Sequence, residues 1–131
     1  MPELPEVETT IRGLKYIIGE KIYNLQIHTK QLRFKIPINI KKILINAKIS
    51  NIRRIAKYII IDLDNMFSLI IHLGMSGRLK FGDLNKNKLK HDHFILDITN
   101  KYRLIFNDPR KFGFIDITKT NKLINKNYIS N

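Results

Sequence analysis

Residues 47–73 read AKISNIRRIAKYIIIDLDNMFSLIIHL, which is a series of short runs rich in β-branched residues, with turn signals such as Asp64-Asn65 between them. Runs of this kind are typical of short strands joined by tight turns. Runs of this kind predict strands over 47–55, 57–63, 66–73, 78–81, 93–98, 102–106 and 112–117. Because helices do not alternate with these strands, a wound parallel sheet is disfavoured. The pattern predicts an α+β, mainly β domain: a two-sheet antiparallel β-sandwich.

A leading helix is predicted before the strands. Apolar residues recur there every three or four positions, which places them on one face of a helix over residues 3 to about 18. These residues are Leu4, Val7, Ile11, Leu14 and Ile18. Gly19 follows them as a plausible end of the helix.

Three further segments complete the predicted organisation. Strict alternation of polar and apolar residues over 31–36 predicts another half-buried strand. A short helix is expected after Pro37, with Asn39 as its cap. The segment 118–131 is polar and rich in Lys and Asn, which predicts a linker or frayed tail after a domain at 1–117.

Composition narrows the class of protein. The 131 residues are 44% hydrophobic, which is enough for one domain with a real core. The net charge of +13 favours a polyanionic partner, nucleic acid before an acidic membrane. The sequence contains no cysteine, which excludes a disulfide framework, a thiolate zinc site and a cysteine nucleophile. There is neither a bilayer-spanning apolar run nor a secretory signal, so an intracellular, cytoplasmic protein is expected.

The first eight residues, MPELPEVE, contain a candidate nucleophile. Removal of Met1 would expose the secondary amine of Pro2 at a helix start, beside the carboxylate of Glu3. An amine next to a carboxylic acid can form a Schiff base with a sugar. The residues alone favour the simpler interpretation, that Pro and Glu merely suit the first turn of a helix.

Two turns contain apolar side chains among polar and basic ones. Residues 71–78 form a strand that leads into a two-glycine turn with Met75 at its tip. Residues 107–113 bring Arg110, Lys111 and Phe112 together. An apolar side chain on a basic surface can wedge into a base stack, and Arg can bond base edges. The alternatives are a Met75 that folds back onto the core, and a basic turn whose Phe112 begins the next strand.

Histidine and arginine clusters have weaker implications. The spacing of His91 and His93 can serve a metal, but no third ligand is evident, so no metal site is predicted; a phosphate contact by His91 fits better. The basic cluster at 53–57 is either a phosphate clamp or a charged edge that discourages strand pairing.

Together these motifs resemble the bacterial formamidopyrimidine-DNA glycosylase family in order and spacing. The segments that match are 2–8, 54–58, 72–77, 91–93 and 108–113. The resemblance extends to about residue 117. The related endonuclease VIII family shares the terminal proline and Glu3, but the run 4–8 favours the formamidopyrimidine branch.

The resemblance implies an enzyme that is both a DNA glycosylase and an abasic-site lyase. It implies base excision repair of duplex DNA, in which 8-oxoguanine or a formamidopyrimidine is flipped out and excised. Pro2 would form the Schiff base with the sugar, Glu3 would move protons, and β- and δ-elimination would cut the strand. Glu6 would help to organise the helix.

The resemblance also implies a set of DNA contacts. The residues expected at phosphates are Lys57, which is grouped with Pro2 and Glu3 in the catalytic set, and His72, His91 and Lys111. The residues expected to fill the space of the everted base are Met75, Arg110 and Phe112. Arg110 would read the orphaned cytosine. Lys111 stands where arginine is usual, which removes a bidentate contact.

Family members are about twice as long as this chain. Their second half contains a helix–two-turns–helix element and a four-cysteine zinc finger, so neither cofactor nor metal is expected here. We therefore expect a monomeric fragment or truncated gene product that binds double-stranded DNA weakly and does not bind membranes. The competing interpretations are a non-catalytic basic nucleic-acid-binding module, an inactive truncated product, or a charge that is mainly compositional.

Overall fold

The computed structural model describes residues 4–85, 87–98 and 102–130. Within these residues, eight strands form two antiparallel four-stranded sheets. The strands are β1 (Asn24–Ile27), β2 (Ile49–Ile55), β3 (Tyr58–Leu63), β4 (Phe67–His72), β5 (Arg78–Asp83), β6 (Asp92–Asp97), β7 (Tyr102–Asn107) and β8 (Phe114–Lys119). The first sheet has the order β1-β6-β7-β5, and the second has the order β2-β3-β4-β8. The predicted α+β, mainly β sandwich is confirmed.

Helical segments lie at both ends of the chain and before β2. They are α1 (Leu4–Leu14) with a 3-10 turn (Lys15–Ile17), α2 (Ile40–Leu44), a second 3-10 helix (Thr120–Asn125) and α3 (Asn127–Ser130). The leading helix ends earlier than predicted, and the tighter turn buries Ile17 instead of Ile18. Gly19 ends this segment with φ +93°, and its N–H donates to the Ile49 carbonyl at 2.7 Å.

The hydrophobic core fills the space between the sheets and the inner face of α1. Alternate residues of β3, such as Ile59 and Ile61, face this core, while Ile60 faces a smaller cluster on the outer side of the second sheet. Both faces of β3 are therefore buried, which explains its uninterrupted isoleucines, because a strand covered on both sides needs no polar face. The face of α1 that carries Val7 and Ile11 packs onto this same core.

The predicted strand over 31–36 is wrong. The segment forms a compact turn closed by an isolated bridge between Gln31 and Lys35. Leu32 is buried, whereas Phe34 is 50% exposed and contacts the ring of Phe114 edge-on, with 5.1 Å between the ring centroids. The alternation of polar and apolar residues therefore does not become an alternation of burial here, because the segment has no partner strand beyond its own bridge. The real edge strand, β1, is four residues long and gave too short a pattern to be predicted.

The prediction of a frayed tail for 118–131 is also wrong over the described residues. Residues 118 and 119 end β8, and residues 120–130, called here the C-terminal segment, fold back over the second sheet. Leu123 is buried in the outer cluster, and Tyr128 packs against it. A few apolar residues among many Lys and Asn were enough to dock the segment. Whether it also serves as a linker from a domain at 1–117 stays a prediction.

Candidate nucleic-acid interface

Two loops cross at one end of the sandwich, and we call them the crossed loops: the turn after β4 (73–77) and the loop before β8 (108–113). Their backbones touch at Gly74 and Gly113. A Cβ atom on Gly74 would lie 2.4 Å from the Gly113 nitrogen, and one on Gly113 would lie 2.4 Å from the His72 carbonyl oxygen. A larger residue at either position would push the loops apart.

A buried carboxylate, Asp108, ties the crossed loops together. Its Oδ1 accepts a hydrogen bond from Ser76 Oγ at 2.7 Å, and its Oδ2 accepts one from the Gly113 N–H at 2.9 Å. Ser76 Oγ in turn accepts the Arg110 N–H at 3.0 Å. Hydrogen bonds to a carboxylate are stronger than those between neutral groups, so this network fixes the shape of both loops.

Apolar and basic side chains project from these fixed backbones. Met75 is 54% exposed and Phe112 is 44% exposed. The guanidinium carbon of Arg110 lies 4.9 Å from the centre of the Phe112 ring, within cation–π distance. Met75 does not fold back onto the core, and Phe112 precedes β8, which begins at Phe114. Both ordinary interpretations of these residues are therefore wrong.

His72, at the end of β4, is a buried neutral imidazole. The Gly74 N–H donates to its Nδ1 at 3.1 Å, so the ring proton of the neutral form is on Nε2. Burial lowers the pKa of His72, and the positive charges of Arg33 and Lys57 lower it further. Its ring stacks on Phe114 with 5.3 Å between centroids. His72 can thus offer a phosphate an N–H donor, but it adds no charge near neutral pH.

The two histidines around Asp92 have different environments. His93 is buried, and its Nε2 lies 3.0 Å from the Asp108 carbonyl oxygen, to which it can only donate. Burial lowers the pKa of His93, and the charge of Lys111 acts in the same direction. His91 is half-buried in a turn with φ +70° before β6. The hydrogen bond gives His93 a structural role, whereas a phosphate contact by His91 stays a prediction.

The basic residues of the cluster at 53–57 have different environments in the structure. Arg53 Nε donates to Asp62 at 2.8 Å, and Arg54 pairs with Glu8 of α1. These ion pairs make both guanidinium groups less available to a phosphate, although the side chains of Arg53 and Arg54 are 38% and 34% exposed. Lys57 lies half-buried in the turn between β2 and β3, and its phosphate contact stays a prediction.

The loop that contains Lys111 extends the basic surface towards the turn at 29–36. Lys111 is exposed and has φ +57°, and its Nζ lies 3.4 Å from Thr29 Oγ1. The Arg33 N–H donates to the Gly113 carbonyl at 3.0 Å. This bond places another exposed cation beside the crossed loops, although the strand prediction for 31–36 gave no reason to expect it there.

The family model described as the formamidopyrimidine-DNA glycosylase N-terminal domain matches residues 1–115. The chain belongs to this family. Formamidopyrimidine-DNA glycosylase of Zymomonas mobilis is 47% identical over 132 residues, covering 100% of this chain and 48% of the relative. The Rickettsia africae protein of the same name is 48% identical over 124 residues, covering 94% of this chain and 45% of that one. The chain spans about half the length of the curated relatives it matches.

Solved structures of family members share the fold. The Lactococcus lactis enzyme in complex with DNA containing a formamidopyrimidine lesion superimposes with a TM-score of 0.86 at 34% identity, covering 94% of this chain and 46% of that one. The same enzyme bound non-covalently to DNA containing an abasic site gives 0.87 at 34% identity, covering 95% and 48%. Both similarities extend beyond the residues of the family motifs.

The first residues of the family motif are only partly described. Pro2 and Glu3 lie outside the described residues, so their predicted catalytic roles stay predictions. Glu6 is exposed in the first turn of α1, and its carbonyl accepts a bond from Thr10 Oγ1 at 2.9 Å. The ion pair between Glu8 and Arg54 joins this helix to β2. The helix that carries the motif is therefore fixed on the second sheet.

The sequence motifs did not reveal the buried network beneath the exposed residues. The sequence predicted no individual role for Asp108 or Ser76. The available signal was chemical: a short polar side chain in each of two glycine-containing turns can bond backbone N–H groups. Nothing in the sequence indicated that these two turns would meet.

Potential metal ligands are scattered over the described part of the chain, and the expectation of no metal or cofactor stays a prediction. The sequence has no cysteine for a thiolate site. Within 4–85, 87–98 and 102–130, no three His, Asp or Glu residues form a group that could hold an ion.

None of the helices among the described residues is long and apolar enough to cross a bilayer.

Proposed function

We propose that this chain is the catalytic N-terminal domain of a bacterial DNA glycosylase and abasic-site lyase that excises oxidised purines from duplex DNA. One observation carries the proposal: Met75, Arg110 and Phe112 stand exposed together on two loops that a buried carboxylate holds. Exposure of such apolar side chains to water is unfavourable in free energy unless a partner covers them. The names of the relatives and the damaged DNA in the solved structures support the same assignment.

We assign phosphate binding to basic and polar residues around Met75, Arg110 and Phe112. Lys57, Lys111 and His91 would contact phosphates around the lesion, and the net charge of +13 suits a polyanion. His72 would contact a phosphate as a neutral donor through Nε2–H. Because its pKa is lowered, its contact would not strengthen when salt is reduced in the way that a lysine contact does.

Base reading is assigned to the tips of the crossed loops. When a damaged nucleotide leaves the stack, an apolar side chain can occupy the vacated space and lower the cost of unstacking. Met75 and Phe112 have the required exposure and apolar character. Arg110, held over Phe112, has N–H donors that can bond the acceptors of the orphaned cytosine.

The chemistry is assigned to the first residues of the chain. After removal of Met1, the lone pair of the Pro2 nitrogen attacks C1′, and the pair of the glycosidic bond leaves with the base. The departing base takes up the N–H proton of Pro2, the freed nitrogen lone pair opens the sugar ring, and Glu3 protonates the ring oxygen, which yields an iminium ion between Pro2 and C1′. Loss of a C2′ proton then expels the 3′ phosphate, and a second elimination expels the 5′ phosphate. These steps need no redox or metal cofactor.

The chain by itself is proposed to be a weak enzyme. It spans about half the length of its relatives, so it supplies part of the phosphate contacts of a full-length protein. Fewer contacts give a lower affinity and a shallower dependence on salt. We place its action in the bacterial cytoplasm, where DNA is present, and expect it to act as a monomer.

Covalent trapping tests this proposal. Intact mass first establishes whether Met1 has been removed. The chain is then incubated with abasic-site duplex DNA and borohydride, which reduces the iminium to a stable adduct. The expected result is one adduct, linked through Pro2, at protein concentrations that saturate the DNA. The control is the same chain with extra residues before Pro2, which converts the secondary amine into an amide.

The outcomes separate an enzyme from a binding module. An adduct that the extended control lacks supports the lyase assignment. Saturating DNA binding without any adduct, with Met1 removed, would overturn the catalytic assignment and favour a non-catalytic nucleic-acid-binding module. Binding that barely changes with salt would show instead that the positive charge is mainly compositional.

A further inference from the structure

We infer that Ser76 and Asp108 are positioning residues that join the Met75 turn and the Arg110 loop into one unit, so that both loop tips enter the duplex together. The inference rests on the proposed function, because it concerns how the proposed base-reading residues are held. Neither side chain is an apolar wedge or a cation, so neither is proposed to contact the DNA directly. Their effect would pass through the backbones that carry Met75 and Arg110.

The Oγ atom of Ser76 links the Met75 turn to the Arg110 loop. It donates to Asp108 Oδ1 at 2.7 Å and accepts the Arg110 N–H at 3.0 Å. Ser76 follows Met75 directly, so both tips lie within one residue of this link. A hydroxyl is the one common small group that can donate and accept at once in this way.

The carboxylate of Asp108 gives the link its stiffness. It is fully buried, and its second oxygen accepts the Gly113 N–H at 2.9 Å, just beyond Phe112. Its backbone carbonyl is in addition held by His93 Nε2 at 3.0 Å. A buried carboxylate cannot easily exchange these partners for water, because an unpaired buried charge is costly. The link therefore has one stable arrangement.

Joined tips have a consequence for lesion recognition. If Met75 and Arg110 moved independently, each would lose its own conformational freedom on entering the duplex. When they are already fixed relative to each other, that cost is met during folding. The link should therefore raise the preference for DNA with a vacated base position over intact DNA, without changing the phosphate contacts.

Ser76→Ala is the informative substitution, because Ser76 is half-buried in a turn and lies outside the hydrophobic core. Ser76→Thr is its matched control, since threonine keeps the hydroxyl. The measured quantity is the ratio of the dissociation constants for an intact duplex and for the same duplex with a tetrahydrofuran abasic analogue opposite cytosine. The free protein is also compared by amide hydrogen exchange at Arg110.

The expected result is a ratio that falls about tenfold in Ser76→Ala, which loses both hydrogen bonds of the Oγ atom, and that recovers in Ser76→Thr. The slope of affinity against salt should stay the same, because the phosphate contacts are intact. The Arg110 amide should exchange faster in Ser76→Ala. A general loss of structure would instead lower the affinity for both duplexes together and would not be rescued by threonine.

Failure of the inference and failure of the proposed function have different signatures. A ratio within about twofold of wild type in Ser76→Ala, or unchanged exchange at the Arg110 amide, would overturn the inference alone. A wild-type chain without preference for the abasic duplex would overturn the proposed base-reading role and the inference with it.

Discussion

The crossed loops and the C-terminal segment both border the second sheet, and both mix apolar residues with Lys, Arg or Asn. They differ in how many of their apolar residues are packed, although Ile124 of the C-terminal segment is 71% exposed. The crossed loops leave Met75 and Phe112 exposed on a backbone fixed by hydrogen bonds to Asp108. The C-terminal segment buries Leu123 and packs Tyr128 onto Phe114 at 5.0 Å between ring centres.

The difference shows how a loop can keep apolar side chains exposed. In the C-terminal segment, Leu123 and Tyr128 pack onto the nearest apolar surface. Met75 and Phe112 cannot pack onto such a surface, because hydrogen bonds within the crossed loops hold the backbone in one conformation. Exposure that is built in this way indicates a binding surface, whereas exposure in a loose segment does not.

The crossing itself gives the largest expected effect. Gly113→Ala should lower the free energy of unfolding by about 3 kcal/mol, because its Cβ would overlap the His72 carbonyl. The matched control is Gly13→Ala in α1, where nothing lies within 4 Å of the added Cβ, and which should stabilise the chain by up to about 1 kcal/mol. Urea unfolding measures both. Equal effects at the two positions would show that the loops do not touch at Gly113.

Next come the apolar residues of the two regions. Tyr128→Ala should cost about 2 kcal/mol of stability, since it removes ring contacts and the bond from its hydroxyl to Asp116 at 2.5 Å. Met75→Ala should cost less than about 0.5 kcal/mol of stability and weaken binding to abasic DNA. Thermal unfolding and DNA titration separate the two effects. A Met75→Ala variant that is as destabilised as Tyr128→Ala would remove the contrast.

The lysines of the two regions should differ in their effect on DNA binding. Lys111→Ala should lower the slope of log affinity against log salt by about one, because one phosphate contact is lost. Lys122→Ala, an exposed position of the C-terminal segment, should leave the slope unchanged. Fluorescence titrations over a range of salt concentrations measure both. A drop of similar size for Lys122→Ala would place the C-terminal segment in the DNA interface.

The smallest expected effect is the dependence of stability on pH. The pKa of folded His72 is below its ordinary value of 6.5, so the unfolded chain binds more protons as the solution is acidified. The stability that this difference contributes is present above pH 6.5 and is lost as the pH falls through the lowered pKa; buried His93 acts in the same direction. His72→Gln should therefore flatten the curve of stability below pH 6.5.

The control for the pH experiment is His28→Gln, which changes an exposed histidine of the loop after β1. Denaturant titrations between pH 7.5 and pH 5 would give the free energy of unfolding for wild type and both variants. A curve for His72→Gln that falls as steeply as that of wild type would contradict the assignment of His72 as a buried neutral group.

The strands and the first helix were predictable because their signals are local. The isoleucine runs of β3 and β4 and the spacing of Val7, Ile11 and Leu14 reflect burial along one element. The alternation over 31–36 misled because it occurs in a turn where only Leu32 is buried, so the sequence pattern there does not reflect a strand with one buried face. The docked C-terminal segment was missed because four apolar residues in a polar stretch of eleven predict nothing by themselves.

The candidate site divides along the same line. Residue types and spacing determined the family, the charge and the candidate set Met75, Arg110 and Phe112, since these belong to short contiguous motifs, but the sequence left the exposure of Met75 and Phe112 open. Only the tertiary structure decided that Asp108 is a buried hub, that Arg54 is taken up by Glu8, and that His72 is neutral. Each of these depends on groups that are distant in sequence and adjacent in space, and burial and partner charge, which set their chemistry, exist only after the chain has folded.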